Sequence, residues 1–505
     1  MEQLQSSFCF IFFTFTFLFS LFSFSLFILR LKPCCSCDVC TAFLSRSWSP
    51  EFVNLSDWYT HLLRKSPTGT IHIHVLNNII TANPENVEYM IKTNFDNYPK
   101  GKAFSTILGD LLGKGIFNVD GKCWRFQRKM ASLELGSLSI RSHALNVVVD
   151  EIESRLIPFF SVAADKGEAL DLQDVFKRFS FDSICKFSFG LDPGSLKPEL
   201  PVSELESAFD RSSMLCAERA MATTPLVWKF KRFFNLGSEK KLKESIRVVK
   251  RMADEVIKKR RQSGFSKTND LLSRFMGSIS DDDYLRDIVI SFLLAGRDTV
   301  ASALTTFFLL LSQNPKVLQK IREESGRVIG DDPTQDPAGD PTREKLPAFG
   351  DLRHLHYLKA ALHESMRLYP PVQFDSKFAK QDDVLPDGTF VRRNSRVTYH
   401  PYAMGRMERI WGSDPLEFKP ERWIRDGVFM PESAYKYPVY QGGVRVCLGK
   451  EMSLMEMKIA SLSLIRRFDV QVVNPDRILR FSPGLTANVS GGMPAVVVRR
   501  RELPE

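Results

Sequence analysis

Past residue 40 the chain is poor in cysteine. Of nine cysteines in 505 residues, only Cys123, Cys185, Cys216 and Cys447 lie there, far apart. That excludes a disulfide-stapled scaffold. The early cluster CCSCDVC, residues 34–40, has the donors for zinc, but no second ligand pair follows it at finger-like spacing. Reduced thiols in a linker are the expected reading of that cluster, with acylation beside a membrane as an alternative. The sequence has no internal repeat, and no aromatic platform interleaves its basic stretches, so nucleic acid is not an expected partner. Hydrophobic residues at 44% and charged residues at 25% exclude a disordered or collagen-like chain. Basic residues outnumber acidic ones, 69 to 59, and the resulting +10 suits an anionic membrane surface or an acidic partner.

Phenylalanine is abundant: 40 in all, ten of them between Phe8 and Phe27. From Phe8 to Leu29 the sequence FCFIFFTFTFLFSLFSFSLFIL carries no charge. As a helix this run is about 33 Å long, enough to cross the hydrocarbon core. A cleaved signal would need a basic stretch before the run and a small-residue cleavage site. Glu2 is the only charged side chain ahead of it, whereas Arg30 and Lys32 follow at once. A retained anchor is therefore expected, with the body of the chain on the cytosolic side. The expected division is an anchor over 1–30, a linker over 31–50 and one large domain over 51–505.

Beyond residue 50 the pattern is mainly helical with a few short extended pieces, at Ile71–Leu76, Asn78–Ala82, Thr389–Val391 and Arg396–Tyr399. Residues 262–270 and 330–350 read as surface loops, the second because of its DDPTQDPAGDP run. Lys229–Arg261 is strongly basic and reads as a solvated helix face, with membrane or partner contact as the next alternative. Tyr284–Ser312 is apolar nearly all round. Arg297 and Asp298 at its middle favour a buried core helix over a second membrane span. Gly296 beside them is either a packing device or a gap for a small polar guest. In the second case Asp298 and Thr299 would pass protons.

In the segment YQGGVRVCLG, residues 440–449, Cys447 follows a glycine-rich turn and precedes an amphipathic helix, Lys450–Arg467. A helix N-terminus favours a thiolate. By chemistry alone Cys447 is a nucleophile or a metal ligand, and the absence of a nearby histidine partner weakens the first.

These residues resemble the cytochrome P-450 haem-thiolate monooxygenases, whose haem loop reads Phe-x-x-Gly-x-Arg-x-Cys-x-Gly. Here the matching positions are Tyr440, Gly443, Arg445, Cys447 and Gly449, with tyrosine for phenylalanine and Val444 where proline is common. Ala295, Gly296, Asp298 and Thr299 resemble the oxygen-activation motif. Glu364 and Arg367 resemble the Glu-x-x-Arg signature, with Arg422 as the second arginine of that network. The resemblance implies one mainly α domain with small β-sheets (α+β) behind the anchor. It implies haem b with Cys447 as axial ligand, and Gly443 and Gly449 as close-approach positions. Trp124, Arg128, Arg445 and Lys377 are then expected at the haem propionates. Asp298 and Thr299 are expected to deliver protons, and Glu364, Arg367 and Arg422 to form a structural network.

The stretches FDNYPKGKAFSTILGDLLGKGIFN, WRFQRKMASLELGS and YPPVQFDSKFA resemble the plant fatty-acid ω-hydroxylases, and within them family 94, its C subfamily above all. That resemblance implies oxidation of jasmonoyl-isoleucine at its terminal carbon, through the 12-hydroxy to the 12-carboxy form. The implied setting is the endoplasmic-reticulum membrane, with dioxygen and NADPH–cytochrome P-450 reductase as partners. Phe104, Phe292, Leu294, Val372, Gln373 and Phe374 are channel candidates for an amphipathic carboxylate, although core packing explains each equally well. The residue holding the carboxylate is not identified by the sequence. ω-Hydroxylation of free fatty acids is the alternative within the class. A reductase-independent hydroperoxide isomerase or dehydratase is the alternative outside it, disfavoured by the Asp298-Thr299 pair.

Overall fold

A computed structural model describes residues 14–21, 35–197, 204–264, 270–330 and 350–500. Of the expected anchor, only residues 14–21 fall within it. They are helical and expose Phe15, Phe17 and Phe19, and the rest of the run lies outside the described residues. Most of both expected loops also lies outside them, at 265–269 and 331–349.

The chain is organised around the helix Asp282–Gln313. Asp281 starts it by accepting hydrogen bonds from the backbone N–H groups of Asp283 and Tyr284. Pro315, after Asn314, opens the next helix. By length and hydropathy the helix could cross a membrane. It is instead buried from Leu285 to Leu311 on nearly every side, against helices Leu172–Phe189, Gly237–Ser263, His356–Leu368 and Lys450–Arg467. Its mid-helix charge is compensated inside the protein: Arg297 donates to Asp210 at 2.6 Å and to Asp298 at 3.2 Å. A burial that would be costly alone is thereby tolerated.

Of the four expected extended segments, Thr389–Val391 pairs separately with Asp383–Val384. The other three join one sheet with Asp375–Phe378, which the sequence pattern does not mark, in the order Thr70–Ile73, Asn78–Thr81, Arg396–Tyr399, Asp375–Phe378. The two middle strands run parallel, pairing Ile79 with Val397, and the outer pairs are antiparallel. The first segment is shorter than its sequence pattern suggests. It leaves the strand at His74 for a 3₁₀ turn, and Asn77 in the left-handed region (φ 45°) reverses the chain. Thr389–Val391 shrinks to a two-residue strand, Phe390–Val391. Lys450–Arg467 is helical over the expected range.

Two apolar cores result, a large one around the central helix and a smaller one under the sheet. Residues 35–50 are anchored on the smaller core. Helix Asp38–Ser45 packs Phe43 on Trp58, and Trp48 stacks on the same indole at 5.7 Å.

Candidate active site

Cys447 is carried by two 3₁₀ turns, Pro438–Tyr440 and Gly443–Arg445, that feed the helix Lys450–Arg467. The loop is closed by the Cys447 N–H donating to the Tyr440 carbonyl at 2.8 Å. Gly443 is required by its surroundings: φ is +58°, and a Cβ would lie 2.0 Å from the Ile91 carbonyl oxygen. Burial pushes the Cys447 thiol up, opposed by the Gly449 and Lys450 backbone and by the charges of Arg128 and Lys450.

The thiol faces a cavity of about 1430 Å³. Thirteen of the residues expected at the site line it: Cys447, Gly449, Arg445, Trp124, Arg128, Lys377, Thr299, Phe104, Phe292, Leu294, Val372, Gln373 and Phe374. Gly443 supports the loop from behind. Asp298 stands behind the wall, its carboxyl raised by burial and opposed by Arg297, with Thr486 donating to it at 3.4 Å from a lining position. Thr299 lines the cavity directly and donates to the Ala295 carbonyl at 2.7 Å. Of the two readings of Gly296, packing is the one the contacts favour, since a Cβ would sit 2.4 Å from Ile184 Cδ1. The missing side chain is used by the neighbouring helix.

Cations ring one side of the cavity. Arg445 donates to Asp120 at 2.6 Å and lies 4.5 Å over the Trp124 ring, while its buried Nε has no partner among the described residues. Arg128 donates to the Val446 carbonyl. Lys377 and Lys100 both bind Asp375, at 2.6 and 2.5 Å. Burial lowers the Lys377 amine to about 7, with Asp375 opposing, and the two lysines hold the Asp375 carboxyl far below its ordinary range against its burial.

Glu364, Arg367 and Arg422 form a network that is fully buried at Glu364 and Arg367. Both Glu364 oxygens accept from Arg367 at 2.8 Å, and Arg422, Trp423 and the Lys419 N–H complete the shell at 2.9–3.2 Å. The alternative of an exposed helical pair does not apply.

Two lining residues escaped the sequence reading. Arg396 donates to Ser376 and to the Ala220 carbonyl, both at 2.9 Å, and has no carboxylate ion pair among the described residues. Burial lowers its guanidinium. Glu456, on the helix after Cys447, has a buried Oε1 without a partner among the described residues, and burial pushes its carboxyl up to about 8.

Residues 56–491 match the family model "Cytochrome P450". The chain is 58% identical to cytochrome P450 94C1 of Arabidopsis thaliana over 94% of this chain and 95% of that one. Against cytochrome P450 94B3 of the same plant the identity is 48%, over 89% and 88% of the chains. Against cytochrome P450 94A1 of Vicia sativa it is 40%, over 88% and 86%. Haem fits the residues present: a thiol on one wall, the small residues Ala295 and Gly296 among the lining of the central helix, and cations suited to carboxylates, with an Arg445 N–H unused among the described residues. The chain belongs to the cytochrome P450 family, in its family 94, and is a haem-thiolate monooxygenase.

Proposed function

We propose that the enzyme oxidises the terminal carbon of a jasmonoyl-amino-acid conjugate, taking 12-hydroxy-jasmonoyl-isoleucine to its 12-carboxy form. The observation that carries this reading is Arg396, a half-buried guanidinium on the wall of a largely apolar cavity, with no carboxylate ion pair among the described residues. A carboxylate-bearing amphipathic substrate completes that ion pair and lays its hydrocarbon along Phe104, Phe292, Leu294, Val372 and Phe374. Gln373, held by Ser56 at 2.7 Å, keeps a buried amide N–H for a polar substrate atom.

Cys447 would hold the haem iron, and Trp124, Arg128, Arg445 and Lys377 would hold its propionates. Bound haem supplies dioxygen activation, for which a thiolate ligand favours O–O cleavage. Thr299 holds a proton-bearing hydroxyl at the cavity wall, and Asp298, through Thr486, supplies a carboxyl behind it. The surrounding apolar side chains limit water. An alcohol carbon hydroxylated a second time would give a gem-diol that loses water to the aldehyde, and a third round would give the acid. Each round uses one dioxygen and two electrons from the reductase and releases one water.

The setting is the endoplasmic-reticulum surface, with NADPH–cytochrome P-450 reductase as electron donor. Helix Pro225–Phe233 supports membrane contact: Leu226, Val227, Phe230 and Phe233 are exposed beside Lys229, Lys231 and Arg232.

Turnover of jasmonoyl-isoleucine, its 12-hydroxy derivative and lauric acid in reductase-containing microsomes tests the reading. The conjugates are expected to have the higher kcat/KM, with Arg396→Gln raising KM for them. A preference for lauric acid of about tenfold or more, or 1.4 kcal/mol, makes the enzyme a fatty-acid ω-hydroxylase instead.

A further inference from the structure

The cysteine cluster that has no partner pair in sequence acquires a partner in the fold. Strand Thr70–Ile73 ends by placing His74 against helix Asp38–Ser45, whose N-cap is Cys37. The sulfurs of Cys35, Cys37 and Cys40 lie 3.5, 3.7 and 3.9 Å from His74 Nδ1. All four donor atoms are within 4.8 Å of one another. A tetrahedral zinc ion, with bonds of about 2.3 Å to sulfur and 2.0–2.1 Å to nitrogen, spans S···N edges of about 3.6 Å.

We propose that Cys35, Cys37, Cys40 and His74 form a structural zinc site that fastens the segment after the N-terminal apolar run to the edge of the four-stranded sheet.

Hydrogen bonding alone does not account for this packing. One neutral imidazole nitrogen has one lone pair and accepts a single proton, yet three thiols converge on it. A cation uses all four lone pairs at once. Three thiolates and an imidazole are donors for zinc, not for magnesium or calcium, and four protein ligands leave no open position for catalysis. The site is tied into the fold at both ends. Cys40 is completely buried, the Cys37 N–H donates to Cys35 Sγ at 3.4 Å, and the His72 ring lies 4.0 Å from that of His74. A disulfide between any two of the sulfurs would leave the third thiol and His74 unused, and a cytosolic face keeps such thiols reduced. The segment also continues into the active-site wall, for Phe43, Trp48 and Phe52 line the cavity.

The test is metal analysis of the full-length haem protein, purified from membranes in detergent under reducing conditions and incubated with zinc salts. One zinc per chain is expected. His74→Ala and Cys37→Ser are expected to lose it while keeping their haem and their reduced carbon monoxide spectrum. Cobalt exchanged into the unsubstituted protein should give sulfur-to-cobalt charge-transfer absorption that the His74→Ala protein lacks. Zinc content no higher in the unsubstituted protein than in His74→Ala overturns the proposal. So does absence of the cobalt band, or a disulfide within Cys35–Cys40 in the reduced preparation. The cobalt band and the disulfide assay are read on the unsubstituted protein, so they hold even if a variant folds poorly.

Discussion

At the scale of single residues, the two positions that define the central helix do different work. Thr299 presents its hydroxyl to the cavity, whereas Gly296 makes room for Ile184. Thr299→Ala therefore leaves haem and substrate binding intact but uncouples NADPH consumption from product, seen as a lower product-to-NADPH ratio with more peroxide. Gly296→Ala acts through packing. A Cβ at 2.4 Å from Ile184 must displace it, at a cost of about 1–3 kcal/mol as for other overpacked cores. Adding Ile184→Ala should recover part of that loss in a double-mutant cycle by thermal unfolding. A role for Gly296 in binding a guest would instead leave the two changes additive.

Between elements, the buried carboxylate of Glu364 joins helix His356–Leu368 to the turn Pro420–Trp423. Its five donors include the two arginines, and removing its charge leaves the fully buried Arg367 without a carboxylate, whereas Arg422 keeps Asp414. Glu364→Gln is expected to destabilise the protein by about 3–5 kcal/mol and to lower haem retention on denaturant titration. An exposed pair would cost well under 1 kcal/mol, so the measurement separates the two cases. Elements were the level best read from sequence. Lys450–Arg467 and Arg396–Tyr399 carry their own period and end signals, and both form over the ranges their patterns set. The strand from Ile71 did not run as far as its alternation, because the turn at Asn77 takes His74–Leu76 into a 3₁₀ geometry that a two-residue period does not report. His74, Arg396, Glu456 and Thr486 were illegible for a shared reason. Each becomes informative only through surroundings built by distant parts of the chain: Cys35 is the partner of His74 and Asp298 that of Thr486, while Glu456 stands out by its burial.

For the molecule as a whole, acid stability depends on histidines kept neutral inside it. His363 sits among Trp423, Phe429 and Tyr437, and burial lowers its imidazole to about 3. His400 is lowered likewise to about 3. Below about pH 6.5 the unfolded chain binds protons at these groups and the folded one does not, so each contribution to stability falls with pH until about 3. Each adds up to about 1.4 kcal/mol per pH unit to the slope. His363→Gln should remove one such increment, measured as fewer protons taken up on urea unfolding between pH 4 and 6. An unchanged proton uptake would mean that His363 is already charged in the fold.

The cavity wall begins at Phe43 and continues to Ala487, and its thiol comes from Cys447, late in the chain. Synthesis therefore delivers most of the wall before it delivers the ligand for iron. A chain truncated ahead of Cys447 loses the thiol together with the helix Lys450–Arg467 that packs against the central helix.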